Sequence, residues 1–184
     1  MKDALFQKLV ALCSLALLQT TVSASEAKSP GANIVFILAD DLGWGELGCY
    51  GQKKIKTPNI DRLASEGVRF LRHYTGAPVC APARCVLMTG RHLGNAEIRN
   101  NGDSGNGKPF PGQWPITVQA VTIAESLQKK GYATGGFGKW GLGPTDSSGS
   151  PIRQGFDRFY GYNCQRNAHS FFPPFLDDLS LIHI

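Results

Sequence analysis

A continuous apolar run that ends in two carboxylates constrains this chain more than any other feature. Residues 33–39 read NIVFILA, and Asp40 and Asp41 follow directly. A run of this length, rich in β-branched residues, predicts a strand buried on both faces, as in parallel sheets covered by helices. Carboxylates at the end of such a strand stand where open α/β sheets place their ligands.

Helix and strand signals alternate along the rest of the chain. The first predicted helix has Thr57 as its N-cap and Pro58 at its first position, and it stops at Gly67; a strand follows at 68–70. The second predicted helix has Pro82 in its first turn and Gly90 at its end, and a loop follows at 95–115. The third has a Thr122–Glu125 capping box and ends at Gly131, and a strand lies within 132–140. The apolar faces expected to point inward are Ile60, Leu63 and Ala64 in the first helix and Ile123, Ala124 and Leu127 in the last. This alternation predicts an α/β fold with a mostly parallel sheet and helices on both faces.

Residues 1–24 have the organisation of a secretory signal peptide. Lys2 and Lys8 form a basic start, residues 9–18 are apolar, and small residues precede a cleavage point after Ala24. The apolar stretch is too short for a membrane span, which needs about 20 residues. We therefore expect a periplasmic or secreted protein with no membrane attachment after cleavage.

Composition excludes several classes of protein. The 184 residues carry a formal net charge of +5, and 42% are hydrophobic, which is ordinary for a globular chain. Lys and Arg never form a run of five, so nothing in the charge pattern favours nucleic-acid binding. Five cysteines are too few for a disulfide-dense scaffold.

Two of the three polar clusters in the sequence contain groups that can be anionic: the carboxylates of Asp40 and Asp41, and the thiol of Cys80. Asp40 and Asp41 repel one another, so a cation is expected there, and hard oxygen ligands favour Ca²⁺ or Mg²⁺; solvated acids at a strand exit are the alternative. Cys80 precedes a helix start that favours its thiolate, and Arg84 lies one turn further on. A buried structural cysteine and a surface arginine are the alternative interpretation.

The third cluster places Lys139 at a strand end within the string GKWGLG. The surrounding glycines allow close approach of backbone to a ligand. A phosphate-binding P-loop is excluded, because Trp140 stands where Ser or Thr must bind magnesium. An ordinary lysine in a glycine-rich turn is the alternative.

Taken together and in this order, the clusters resemble the N-terminal part of a sulfatase of the alkaline-phosphatase-like superfamily. The strings that carry the resemblance are NIVFILADDLGWGELGCYG, TPNIDRLASEGVRF, CAPARCVLMTGR, GYATGGFGKWGLG and GFDRFYGYNCQRNAHSFFP. They span nearly all of residues 32–176. The C-x-P-x-R element that begins at Cys80 is the most specific of them, because in this family it directs conversion of the cysteine to formylglycine.

The resemblance implies a role for each matching residue. Asp40, Asp41 and the modified Cys80 would bind Ca²⁺, Arg84 would hold the formylglycine hydroxyl, and Lys139 would contact the sulfate or the leaving oxygen. Hydrated formylglycine would attack sulfur, expel the alcohol, and then release sulfate as the aldehyde re-forms. The implied partners are a sulfated small molecule or polysaccharide and a formylglycine-generating enzyme.

One position departs from the family pattern. The commoner string has His two residues after the lysine, where this chain has Gly141. His169 is a candidate replacement or a substrate contact, and a surface histidine in an aromatic loop is the alternative. With Cys13 in the leader and Cys80 modified, Cys49, Cys85 and Cys164 would allow at most one disulfide, whose pair stays unassigned.

The end of the sequence differs in character from what precedes it. We expect residues 32–178 to be the N-terminal part of a sulfatase catalytic domain and residues 179–184, LSLIHI, to be a non-native tail. Because the resemblance places further calcium ligands in a second half, we expect the sheet to be incomplete and this chain to be inactive alone. The rival functions are a phosphonate or phosphate monoesterase of the same superfamily and a non-catalytic exported remnant.

Overall fold

The computed structural model describes residues 31–102 and 113–181. The chain divides into two compact units, Met1–Asn33 and Ile34–Ile184, and only residues 31–33 of the first are described. The expected signal peptide, most of the predicted 95–115 loop and the last three residues of the expected tail lie outside the described residues.

The described residues contain four helices, of which three begin and end close to the predicted positions and the fourth, at 165–168, was not predicted. They are α1, Pro58–Glu66; α2, Cys80–Thr89; α3, Ile123–Gln128; and α4, Gln165–Ala168, with short 3₁₀ turns at Trp44–Glu46, Gly48–Tyr50 and Leu93–Asn95. Pro58 opens α1 after Thr57, as predicted, but the Thr57 hydroxyl makes no capping bond and accepts the Gly48 N–H instead. Gly90 ends α2 in the left-handed region with φ of 65°. The capping box of α3 is confirmed, because the Thr122 hydroxyl and the Glu125 carboxylate each accept the other residue's backbone N–H.

Three strands form one sheet in the order β1-β2-β3. They are β1, Gly135–Lys139; β2, Arg158–Tyr162; and β3, Asp177–Ser180. The first pair is parallel and the second antiparallel, so the α/β class is confirmed, while this part of the sheet is mixed rather than mostly parallel. The proposed boundary between Asp178 and Leu179 falls inside β3, where Leu179 pairs with Phe159. That boundary stays a prediction.

Trp140, the residue that follows β1, belongs to the hydrophobic core. Trp140 is 4% exposed and packs edge-on against Phe156, with ring centroids 5.7 Å apart. Its indole N–H donates to the Gly149 carbonyl at 2.7 Å. Phe159, also buried, packs against the same indole, with ring centroids 6.3 Å apart. Because both neighbours of the indole are fixed, the backbone at Lys139 has a defined position.

Two predicted strands are wrong. Residues 34–39 form no strand, and their side chains are exposed, Val35 by 82% and Ile37 by 83%. Residues 68–70 likewise form no strand, and Val68 is 81% exposed. The physical reason is the same in both cases: a strand exists only where another strand pairs with it, and none of the described strands pairs with either segment.

The predicted inward faces of two helices are confirmed only in part. In α1, Ile60 and Leu63 are exposed and none of the nine residues is buried. In α3, Ala124 is buried as expected and Leu127 is half-buried, whereas Ile123 is 49% exposed. The 3₁₀ turn Gly48–Tyr50 contacts α1, and the Cys49 N–H donates to Asp61 Oδ1, but this contact leaves Ile60 and Leu63 exposed. Within the described part of the chain, no helix is long and apolar enough to cross a membrane.

Candidate active site

The first turn of α2 presents Cys80 at the edge of the core. Val79 is extended and offers no side-chain cap, so the early N–H groups of the helix need other acceptors. The Ala81 N–H finds one in Asn101 Oδ1, at 3.1 Å. Ala81 is fully buried and Cys80 is half-buried, which fixes the backbone while leaving the thiol accessible. The four described cysteines, Cys80 among them, are free thiols.

Arg84 joins three parts of the chain with one guanidinium group. It lies one turn beyond Cys80 and is 8% exposed. Its Nε donates to the Lys139 carbonyl at 2.8 Å, and its Nη2 donates to Asp40 Oδ1 at 3.1 Å. Because a guanidinium is planar and rigid, these two bonds fix α2 against both the end of β1 and the residue after the apolar run.

The ammonium group of Lys139 is the centre of the cluster. Its Nζ lies 2.8 Å from Asp40 Oδ2, 3.4 Å from Cys80 Sγ and 3.1 Å from His169 Nε2. Only 8% of the side chain is exposed, whereas 47% of the Asp40 side chain is. A cation therefore stands directly beside the Cys80 thiol.

Asp40 is held in its charged form. The hydrogen bond from Lys139 lowers the pKa of this carboxyl, and the charges of Lys139, Arg84 and His169 add to that effect against the opposing influence of burial. One cation lies on each oxygen, and both favour the ionised form of the carboxyl.

Five of the six predicted site residues thus lie in one cluster, and Asp41 does not join it. Asp41 follows Asp40 with φ of 58°, is exposed, and makes no side-chain bond to the other five among those described. The carboxylates of Asp40 and Asp41 are ligands of the hard kind that Ca²⁺ prefers, so they fit in chemistry. They fall short in number, because Ca²⁺ takes 6–8 oxygens and the described residues contain no group of three His, Cys, Asp or Glu side chains able to hold a metal.

The absence of a side chain at Gly141 leaves room for the side chain of Gln165. The φ of Gly141 is 79°, a conformation that favours glycine, and a Cβ there would lie 2.9 Å from Gln165 Oε1. Gln165 begins α4, and His169 follows its end. Sequence reasoning named His169 but missed Gln165 and Asn101, because amides carry no charge pattern and stand in no recognisable spacing.

The comparisons with known proteins agree with one another. A model of the sulfatase family matches residues 32–172. The chain is 42% identical to human arylsulfatase D over 159 residues, which is 82% of this chain and 26% of that protein. It is 41% identical to rat steryl-sulfatase over 156 residues, 81% of this chain and 27% of that protein.

A solved structure is similar over much of the chain. It comes from a Bacteroides thetaiotaomicron core genetic locus for the metabolism of multiple glycosaminoglycans, and it matches with a TM-score of 0.62 and 36% identity over 74% of this chain and 29% of that one. Fold and site together define an incomplete α/β piece of the alkaline-phosphatase-like kind, with its polar cluster at the end of a strand. The chain belongs to the sulfatase family. It spans about a quarter of the length of the curated relatives named above.

Proposed function

We propose that this chain contributes the nucleophile and the first cationic groups to the active site of a sulfuric ester hydrolase that cleaves sulfate monoesters. The observation that carries the proposal is the position of Lys139 Nζ, 3.4 Å from Cys80 Sγ and 2.8 Å from Asp40 Oδ2. A sulfate ester needs a nucleophile beside fixed positive charge, and the family membership supports this chemistry over other uses of such a cluster.

Cys80 is the proposed precursor of the nucleophile. Formylglycine, when hydrated, supplies a hydroxyl that can attack sulfur and an aldehyde through which sulfate can leave. The backbone bond from Ala81 to Asn101 holds the start of α2, so the group at position 80 keeps one position relative to Lys139. Its half-buried setting limits competition from bulk water.

Lys139 and Arg84 have different proposed roles, the first in binding substrate oxygen and the second in positioning. Lys139 would bind a sulfate oxygen or the leaving oxygen as a point charge, since its Nζ already lies beside the reacting position. Arg84 would hold Asp40 and the end of β1 in place through its two bonds. Both charges are in position before substrate binds, so little reorganisation is needed as negative charge builds on the leaving group.

His169 is the proposed neighbour of the leaving group. Its Nε2 lies 3.1 Å from Lys139 Nζ. From there it would contact substrate beside Lys139. The proposed role of His169 is the one that the family string gives to a histidine at position 141, where this chain has Gly141.

Calcium is the proposed metal. Asp40 and Asp41 would contribute oxygens to it, with further ligands needed beyond the described residues. Bound there, the ion supplies Lewis-acid stabilisation and a template for the sulfate oxygens. Export to the periplasm or the medium, and modification of Cys80 by a formylglycine-generating enzyme before folding, complete the proposal.

Binding of a sulfate ester tests this function. Lys139→Met should weaken binding of 4-nitrophenyl sulfate to the aldehyde-bearing chain about tenfold, the size expected for loss of a charged hydrogen bond. Lys130→Met is the matched control, because Lys130 is an exposed lysine beyond α3. Equal binding by both variants would contradict the proposal, and tighter binding of 4-nitrophenyl phosphate would favour the rival monoesterase.

A further inference from the structure

Two cations of the chain occupy the two oxygens of the Asp40 carboxylate. Arg84 Nη2 lies 3.1 Å from Oδ1, and Lys139 Nζ lies 2.8 Å from Oδ2. The Asp40 side chain is 47% exposed, whereas the two cationic side chains are almost fully buried. A metal ion can therefore reach this carboxylate from solvent, but it then lies within a few ångströms of two charges of its own sign. Such charges repel strongly, so the group that is held less firmly has to give way.

The two cations differ in how firmly they are held. The Arg84 Nε also donates to the Lys139 carbonyl at 2.8 Å, so the planar guanidinium is fixed at two points. The Lys139 ammonium is a point charge on a flexible stem, with a single carboxylate partner. Its other neighbours are Cys80 Sγ at 3.4 Å and His169 Nε2 at 3.1 Å. Lys139 is therefore the group that a metal ion at Asp40 would displace.

Asp41 supplies a second carboxylate for the incoming ion. It is exposed, follows Asp40 directly and makes no side-chain bond to the cluster among the described contacts. Both carboxylates offer the hard oxygens that Ca²⁺ prefers. A divalent cation can interact with the two together, whereas the Lys139 ammonium pairs with Asp40 alone. The exchange of a lysine for a divalent ion at Asp40 is therefore favoured by charge.

The displaced ammonium needs another anion. The Lys139 side chain is only 8% exposed, and a charge that loses its partner in such a place is costly. An uncharged thiol or aldehyde at position 80 and the imidazole of His169 cannot replace the carboxylate as an anion. A sulfate oxygen can, and the proposed function puts the sulfate beside this ammonium. Binding of a cation at Asp40 and binding of an anion at Lys139 should therefore favour one another.

We propose that Lys139 exchanges partners: it pairs with Asp40 until a divalent cation binds there, and it then pairs with the sulfate group. Through this exchange the cation and the sulfate raise one another's affinity for the chain. The proposal rests on the proposed function for the calcium ion and for the position of the sulfate. It adds a role for Lys139 beyond contact with sulfate, because the lysine couples the two binding events.

Binding of Ca²⁺ with and without inorganic sulfate tests the coupling. The affinities of the full chain and of Lys139→Met are measured by titration calorimetry at constant ionic strength. Without sulfate, Lys139→Met should bind Ca²⁺ about tenfold more tightly than the unaltered chain, because no charged hydrogen bond has to break. Sulfate should raise the Ca²⁺ affinity of the unaltered chain about fivefold and that of Lys139→Met much less. Lys130→Met, the same change at an exposed lysine, should behave like the unaltered chain.

A second measurement needs no variant. Reductive methylation of lysine amines, followed by mass spectrometry, reports how accessible each ammonium group is. Ca²⁺ should accelerate methylation of Lys139, because the ion pair with Asp40 is broken, and sulfate added together with Ca²⁺ should slow it again. Lys130 in the same sample is the internal control, whose methylation should change with neither addition.

The outcomes separate this proposal from the one on which it rests. It is overturned if neither protein binds Ca²⁺, if Lys139→Met binds Ca²⁺ no more tightly than the unaltered chain, if sulfate raises both affinities equally, or if Ca²⁺ leaves the methylation of Lys139 unchanged. These measurements use the chain with an unmodified Cys80. Failure of the proposed sulfatase chemistry would instead appear in the aldehyde-bearing chain, as equal binding of 4-nitrophenyl sulfate by Lys139→Met and Lys130→Met.

Discussion

Lys139 Nζ lies 2.8 Å from Asp40 Oδ2, although 99 positions separate the two residues in the sequence. The bond joins the end of β1 to the residue that follows the apolar run. Arg84 occupies the other carboxylate oxygen, so two cations and one anion hold the cluster together. The geometry of the site therefore depends on charged groups that are also the proposed catalytic ones.

Replacement of Arg84 by lysine should destabilise the chain. A lysine carries one ammonium group and cannot bond the Lys139 carbonyl and Asp40 with the geometry of the guanidinium fork. Loss of one buried, charged hydrogen bond predicts a fall of about 1–3 kcal/mol in the free energy of unfolding. Unfolding of both proteins in urea measures this difference in the free energy of unfolding.

The matched control is Arg158→Lys. Arg158 pairs with Asp178 at 3.0 Å, but both side chains are more than two-fifths exposed. Exposed pairs contribute little, so we expect a change of less than about 0.5 kcal/mol. Similar losses in the two variants would show that Arg84 makes no special contribution.

Asp157→Asn should lower stability in a pH-dependent way. Asp157 accepts bonds from the Thr134 N–H and from Gln128, and these lower the pKa of its carboxyl. Its stabilising contribution is then fully present above the unfolded pKa, about 3.9, and is lost as the pH falls through the lower folded value. We expect a loss of about 1 kcal/mol at neutral pH that shrinks below pH 4, measured by unfolding across that range.

Replacement of Asp177 should change the pH dependence of stability in the opposite direction. Burial raises the pKa of its carboxyl, although the Asn163 N–H bond opposes this. Its ionisation therefore opposes folding as the pH rises through the folded value, so Asp177→Asn should preserve or increase stability at neutral pH. A pH dependence of the same sign in both variants would contradict this assignment.

The pairing of β1 with β2 depends on a glycine at position 161. Gly161 has φ of 152°, and a Cβ there would collide with the backbone of Gly138, its partner in the parallel pair. Gly161→Ala should reduce the free energy of unfolding by about 3 kcal/mol or more. Gly138→Ala, with φ of 96° and open space around its Cβ position, should cost only about 1 kcal/mol. Comparable losses would show that the collision is relieved by a shift of the strands.

Local chemistry was predictable where a few neighbouring residues decide the outcome. Pro58 marks the start of α1, Gly90 marks the end of α2, and Thr122 and Glu125 form the capping box of α3. Each of these features depends on backbone groups within one turn. The Cys80–Arg84 spacing likewise predicted that both residues could face one site. Such features need no knowledge of distant contacts.

Features that depend on distant partners were not predictable in the same way. The run at 34–38 has the composition of a buried strand, yet it is exposed because no described strand pairs with it. The bonds among Asn101, Gln113 and Gln165 bring together residues up to 64 positions apart. Uncharged amides leave no pattern from which such a network could be inferred.

Mass spectrometry of the peptide that contains Cys80 tests the central claim most directly. The chain would be co-expressed with a formylglycine-generating enzyme, with a peptide that this enzyme is shown to convert as a positive control and with Cys80→Ser and Cys85→Ser variants. The account predicts an aldehyde at position 80 in the unaltered chain and in Cys85→Ser, and none in Cys80→Ser. An unmodified thiol at Cys80 while the control peptide is converted would contradict it.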